Sequence, residues 1–237
     1  MKSSWFFLFT ILIALGLVLC ALGCGDDNPA NSGDENTIET GSVTDLDGNV
    51  YATVKIGNQW WMAENLRVTH YRNGDEINVI TDNTGWFETR VGACCSYNNS
   101  DTIIDTYGRI YNSYAVVDSR KIAPAGWHVA SDSEWQTLIG FVGDYYTAGG
   151  KLKQRGTNHW RSPNTGASDE YGFTALPGGQ RMPAGHFDRM EEEAYFWTSS
   201  YLNATTVLNT SLSYRSAEIL RGGSWPYAGK SVRCVKD

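Results

Sequence analysis

Pro124-Ala125-Gly126-Trp127-His128-Val129-Ala130-Ser131-Asp132-Ser133-Glu134-Trp135-Gln136-Thr137-Leu138 decides how the rest of the chain is read. Pro124 fixes its own φ and Gly126 lets the chain reverse, so the segment begins as a tight turn. Ser131 and Glu134 have the S-x-x-E spacing of a capping box, which satisfies backbone donors at a helix start. Beyond the cap, Trp135, Leu138, Ile139 and Val142 recur at helical spacing and predict one apolar face. Gly140 and Gly143 weaken the far end. One well-capped helix is thus predicted in a chain whose other segments favour strands.

Upstream, Val43 to Met62 reads as strands joined by tight turns. Val50, Ala52, Val54 and Ile56 alternate with Tyr51, Thr53 and Lys55, a period of two. Asp47-Gly48 and Gly57-Asn58 punctuate the segment as hairpin turns. Residues 70–106 are rich in Asn, Asp, Thr and Gly and predict long ordered loops with short strands. Tyr107 to Val117 suits either a helix face or a strand, and a short helix is the expectation. A further helical turn is expected within Lys151 to Arg161. From Tyr195 onward, strand-like pieces recur at Tyr195–Ser200, Val207–Leu212, Ala217–Leu220 and Ser231–Val235. The predicted class is α+β, a single sheet-rich domain with about two helices and long loops.

The amino-terminal end has a different character. One lysine precedes an apolar run from Trp5 to Leu22, and Ala21-Leu22-Gly23-Cys24 closes it. The run is at the lower limit of a spanning helix, and its flanks match a secretory leader better. Its end resembles a bacterial lipobox, with Ala21 where leucine is usual. The resemblance implies a signal peptide over residues 1–23, cleavage before Cys24, and lipidation of that thiol. An uncleaved anchor helix is the alternative. Residues 24–42 are polar, with Ile38 their only large apolar side chain, and read as a flexible tether. Asp26 and Asp27 resemble the surface-export signal of Bacteroidetes-like lipoproteins, or simply keep the tether solvated. The expected partner of this end is a membrane, and the expected place is the bacterial outer membrane. The folded body is expected over residues 43–237, enough chain for a substantial core.

The formal net charge is −7, and no Lys/Arg run occurs. Nucleic acid is therefore not an expected partner, because phosphate attraction needs a basic footprint. Past Cys24 the cysteines are Cys94, Cys95 and Cys234. An oxidising compartment permits one bridge, Cys95–Cys234 or Cys94–Cys234, with three free buried thiols as the alternative. No zinc-ligand spacing is present.

A family resemblance rests on motifs distributed along the body. In order they are Asp47-Gly48-Asn49-Val50-Tyr51, Lys55 to Leu66, Tyr107-Gly108-Arg109-Ile110-Tyr111-Asn112, Pro124 to Val129, Gly149-Gly150-Lys151-Leu152-Lys153, Gly172 to Gly179, Phe196-Trp197-Thr198-Ser199-Ser200 and Ser231-Val232-Arg233-Cys234-Val235. Together they resemble the Fibrobacter succinogenes major paralogous domain of secreted and lipid-anchored bacterial proteins. Many members have a cysteine before Pro-Ala-Gly-Trp-His, where this chain has Ala123, so its cysteine pairing must differ from theirs. That family in turn looks like the C-type-lectin-like group that includes the formylglycine-generating enzymes. Gly126-Trp127-His128-Val129 and Arg221-Gly222-Gly223-Ser224-Trp225 are the shared marks. The implied fold has two helices against twisted antiparallel strands, loops on one side and neighbouring termini.

Enzymatic chemistry has little footing in these residues. The formylglycine-generating oxidases, the runner-up function, need a cysteine pair for Cu(I) soon after the Gly-Gly-Ser-Trp stretch. Here Trp225 to Lys230 contains none. His70, His128, His159 and His186 lack metal-ligand spacing, and His128 is expected to bond a backbone group. Ser131 and Ser224 suit capping and turns rather than nucleophilic roles. Asp188, Glu191, Glu192 and Glu193 read as a solvated acidic loop rather than paired glycosidase carboxylates. The sugar-binding motifs of calcium-dependent lectins do not occur, although Asp75, Asp82 or Asp101 could hold a structural Ca²⁺. No cofactor is expected. What remains is non-covalent recognition of a protein or glycan, with a purely structural envelope role as a third possibility. Between Tyr195 and Tyr227, Tyr, Ser and Asn dominate, a mixture suited to rigid contact and adaptable hydrogen bonding. Tyr201, Asn203, Tyr214 and Arg215 are the expected exposed ligand contacts, with Trp197 and Trp225 expected in the core.

Overall fold

The computed structural model describes residues 37–237; the expected leader, Cys24 and most of the tether lie outside the described residues. The body is mixed α+β. Its strands are β1 (Thr40–Thr44), β2 (Val50–Ile56), β3 (Gln59–Met62), β4 (Asn78–Val79), β5 (Ala93–Cys95), β6 (Ile110–Asn112) and β7 (Trp127–Val129). They continue as β8 (Gly178–Arg181), β9 (Phe187–Met190), β10 (Glu193–Asn203), β11 (Thr206–Ser213), β12 (Ile219–Ser224), β13 (Gly229–Lys230) and β14 (Cys234–Lys236). The helices are α1 (Asn83–Glu88), α2 (Ile104–Tyr107), α3 (Ser113–Val116), α4 (Asp132–Val142) and α5 (Ala148–Leu152). Strand β1 begins at Thr40, so the last residues assigned to the tether belong to the folded body.

Two sheets organise these strands. One runs β1-β2-β3-β14-β7, and the other runs β12-β11-β10-β8-β13-β6-β5-β4, with β9 beside β8. The late strand β14 lies between β3 and β7, so both ends of the described body share one sheet. Its inner strands feed cores on both faces, while the edge strand β1 is largely exposed. Tyr51, Met62, Trp127, Val129 and Cys234 enter one apolar cluster, while Val54, Ile56, Trp61 and Val235 enter the other. Over its first four residues β2 alternates in the phase opposite to the expected one, with Val50 and Ala52 exposed and Tyr51 and Thr53 buried, the Tyr51 hydroxyl donating to Asp45 Oδ2 at 2.6 Å. The alternation breaks at Thr53 and Val54, buried in succession where the strand passes between the two cores.

Helix α4 forms as its sequence requires. The Ser131 side chain accepts from the Glu134 backbone N–H, and Glu134 returns a bond to the Ser131 N–H at 2.7 Å. Trp135, Leu138, Ile139 and Val142 are buried against the second cluster. Trp61 and Trp135 meet at 5.0 Å between centroids, tilted by 60°, a geometry favoured by aromatic quadrupoles. The remaining helices are short, which is why only one announced itself.

The expected helix over Tyr107–Val117 is instead the end of α2, then β6, then α3. Gly108 breaks it, at φ +72°, where a Cβ would come within 2.6 Å of Asn65 Cβ. Asn112 then caps α3 by accepting from the Ala115 N–H at 3.0 Å. The expected turn within Lys151–Arg161 lies slightly earlier, as α5.

No disulfide joins Cys94, Cys95 and Cys234, all three being free and buried. The expected Cys95–Cys234 bridge fails because adjacent residues of β5 point to opposite sides. Cys94 shares a core with Cys234, whereas Cys95 faces a third cluster with Trp86, Ala93 and Ile110.

Candidate binding groove

The antiparallel ladder β10-β11-β12 sets out a row of side chains on one face. Trp197 stands opposite Asn209, which stands opposite Gly222; Val207 stands opposite Ser224. Directly opposed residues share a face, so Trp197, Asn209 and Ser224 converge there. Gly222 supplies no side chain over this surface. At Gly223, on the alternate position, a Cβ would lie 2.5 Å from Thr206 Cγ2 and would force that side chain to shift.

Above this face is a cavity of about 440 Å³. Gln180, Tyr195, Thr206, Asn209, Ser224 and Lys230 supply its polar lining, with Met182, Pro183, Trp225 and Ala228 as apolar walls. Asn209 Nδ2 donates to Ser224 Oγ at 3.2 Å. The Tyr195 hydroxyl donates to Glu193 Oε2 in a short bond. Lys230 Nζ donates to Gln180 Oε1 at 2.8 Å and lies 4.4 Å from the Tyr195 ring centroid. Burial pushes this ammonium down to about 7.

Trp225 is 58% exposed, contrary to the expectation that it is core. The interior beneath its loop is already filled by Trp86, whose Nε1 donates to the Tyr227 carbonyl at 2.8 Å. Excluded from that space, Trp225 stacks on Tyr227 with centroids 5.8 Å apart and an interplanar angle of 20°. Trp197 is core as expected, with Nε1 donating to the Tyr111 carbonyl at 2.8 Å.

The four expected contact residues are not brought together. Tyr201 and Asn203 are exposed where β10 turns into β11, whereas Tyr214 and Arg215 follow the other end of β11. Eight residues of strand separate them, roughly 27 Å at about 3.4 Å per residue. Tyr214 is also buried: it continues the inward alternation of Leu212 and joins the second core. Its hydroxyl accepts from Arg215 Nε at 2.7 Å. Asn209, Ser224 and Trp225, which do line the groove, are not among the four expected contacts: the Gly-Gly-Ser-Trp stretch stands out in the sequence only as a family mark, with Ser224 expected in a turn and Trp225 in the core. Gln180, Tyr195 and Lys230 were missed; the one available signal was a lysine set among small and apolar residues from Ala228 to Val232.

The other candidates resolve into structural roles. His128 bonds carboxylates rather than backbone, with Nε2 2.7 Å from Glu134 Oε1 and Nδ1 2.6 Å from Asp237 Oδ1. Glu192 sits between Arg161 at 2.5 Å and Arg189 at 3.2 Å, and the Arg161 bond holds its carboxyl below the ordinary range. Asp75 pairs with Arg120, Asp82 caps α1, and Asp101 accepts from Ser96. Among the described residues, no group of three His, Cys, Asp or Glu side chains is placed to hold a metal ion. No helix among them is long and apolar enough to cross a membrane.

This is a mixed α+β domain with a small aromatic-walled groove on its longest sheet. The chain belongs to the Fibrobacter succinogenes major domain family, whose model matches residues 54–236. No curated protein and no solved structure matches it.

Proposed function

We propose that the protein is a non-catalytic recognition module of a bacterial envelope, anchored through a lipidated Cys24 and binding glycan in the groove beside Trp225. The observation that carries this assignment is the exposed indole of Trp225 standing at the wall of a polar-lined cavity. An aromatic plane packs against the apolar face of a pyranose, and the Asn209, Gln180 and Ser224 side chains offer donors and acceptors to ring hydroxyls. Supporting the envelope assignment are the lipobox-like end of the leader and the polar stretch after it. A C-type-lectin-like topology fits the capped helix and the placement of β14 beside β3, and puts the groove near the carboxyl-terminal strands.

The test is an oligosaccharide array probed with the full chain in detergent, alongside its Trp225→Ala variant. Saccharide binding that the variant loses while keeping its thermal transition is the expected result. Silence on the array, with capture of a protein partner through a Trp225-independent surface, would sink the glycan assignment. Metabolic labelling with a palmitate analogue tests the anchor: incorporation should vanish in Cys24→Ser.

A further inference from the structure

Lys230 is the one charged side chain in the groove lining among the described residues. It is 2% exposed, and its Nζ has a single hydrogen-bond acceptor, Gln180 Oε1. An ammonium has three donors, so two remain uncommitted. The rings of Tyr195 and Trp197, at 4.4 and 5.3 Å from Nζ, attract the cation but accept no conventional hydrogen bond. Glu193, the acid whose charge acts on Lys230, is engaged by the Tyr195 hydroxyl and paired with Arg189, and it forms no ion pair with Lys230.

The other deeply buried cations are handled differently. Lys153 Nζ donates to the carbonyls of Thr165, Ser213 and Ser216, using all three donors. Arg233 binds the carbonyls of Met62, Phe173 and Thr174 together with Asn65 Oδ1. Arg181, fully buried as well, binds the carbonyls of Gly185, Ile80, Thr81 and Asp82, so all three are closed inside backbone cages. Lys230 is left with donor capacity, and it has that capacity on the wall of an open cavity. A buried, half-satisfied charge is costly unless something completes it.

Building on the glycan assignment above, we infer that the groove selects acidic saccharides, with a sugar carboxylate accepting the two free N–H groups of Lys230. The charge count favours this chemistry. One ammonium balances one singly charged group, whereas a phosphate monoester would leave a charge uncompensated. A carboxylate concentrates its charge on two oxygens, matching two donors, while a sulfate ester spreads the same charge over three. Charge-assisted bonds of this kind are about twice as strong as neutral ones.

Calorimetric titration of the full chain in detergent at about pH 6, where the ammonium is mostly protonated and a carboxylate ionised, with trigalacturonic acid and with its methyl ester isolates the charge from the sugar shape. The acid should bind about tenfold more tightly than the ester, the effect of one charge-assisted contact. Lys230→Met should bring the two affinities together; where that variant misfolds, the acid-to-ester ratio of the wild type still decides the matter. Equal affinities for acid and ester overturn the inference and leave glycan binding intact, as does binding confined to neutral oligosaccharides. A sulfated trisaccharide that outcompetes trigalacturonic acid overturns the carboxylate assignment. Absence of any saccharide binding removes both this inference and the function beneath it.

Discussion

Arg221 grips Asp132 with two parallel donors: Nη2 reaches Oδ2 at 2.5 Å, and Nε makes a shorter bond to Oδ1. The pair joins the first turn of α4 to the middle of β12, so the capped helix and the strand leading into the groove are fastened at one point. Asp132 also accepts from Gln136 Nε2 at 2.6 Å. Because Asp132 is buried while Arg221 is partly exposed, solvent screens part of the attraction. Replacing either residue with alanine should cost about 1–2 kcal/mol. A double-mutant cycle by urea unfolding would measure a coupling near that size; strictly additive effects would mean the fork contributes nothing in solution.

Two glycines in neighbouring helices should respond oppositely to alanine. At Gly149 in α5 a Cβ would lie 2.2 Å from the Glu218 carbonyl oxygen, so Gly149→Ala should destabilise by about 1–3 kcal/mol through overpacking. Gly140 in α4 has open space around the same position, and Gly140→Ala should stabilise by about 0.5–1 kcal/mol through helix propensity. Thermal melts of the two variants should move in opposite directions.

His128 gives stability a defined pH dependence. Burial alone would lower its pKa, but bonds to Asp237 and Glu134 outweigh that and raise it. A histidine raised on folding contributes fully below its unfolded value, about 6.5, and the contribution is lost as pH rises through the folded pKa. Glu134 acts on the acid side. Its burial is outweighed by bonds from Ser131 and His128, so its pKa is lowered, and its contribution disappears as pH falls through the folded value. Urea midpoints should therefore decline on both sides of a mildly acidic optimum. In His128→Gln the decline toward alkaline pH should flatten, and an unaltered profile would show that the pair is not formed.

The thiols should be inert in the native state. Burial pushes Cys94 up to about 12 and Cys95 up to about 11, and it raises Cys234 as well. Thiolate is the reactive species, so Ellman's reagent should label these positions only as the protein unfolds, at a rate that follows urea concentration. Rapid labelling of any of them without denaturant would contradict their placement.

How much could be read from residue order follows from what each feature depends on. The α4 cap, its apolar stripe and strands β10 and β11 depend on neighbours within a few positions, and these were legible. The strand expected over Ala217–Leu220 is shifted to Ile219–Ser224, and the one expected over Ser231–Val235 is split into Gly229–Lys230 and Cys234–Lys236. Tyr214 and Trp225 were assigned the wrong way round because their exposure depends on distant partners. Trp86, distant in sequence, is the indole buried beneath the Tyr227 carbonyl while Trp225 stays outside, and the second core takes Tyr214. The partners of His128 lie at positions 134 and 237, and only the first is near enough in sequence to suggest itself. Lys230 was hidden for a related reason: its small and apolar neighbours hint at burial, but the groove it lines exists only once β8, β10 and β13 are paired.

Strand β14 carries a consequence for biosynthesis. Residues 234–236 fill the gap between strands whose residues emerge from the ribosome far earlier, at 59–62 and 127–129. Until that last piece arrives, β3 and β7 have no common neighbour, and apolar side chains on both faces of the sheet lack their cover. Such long-range closure slows folding and leaves that apolar surface open to association until the strand is in place.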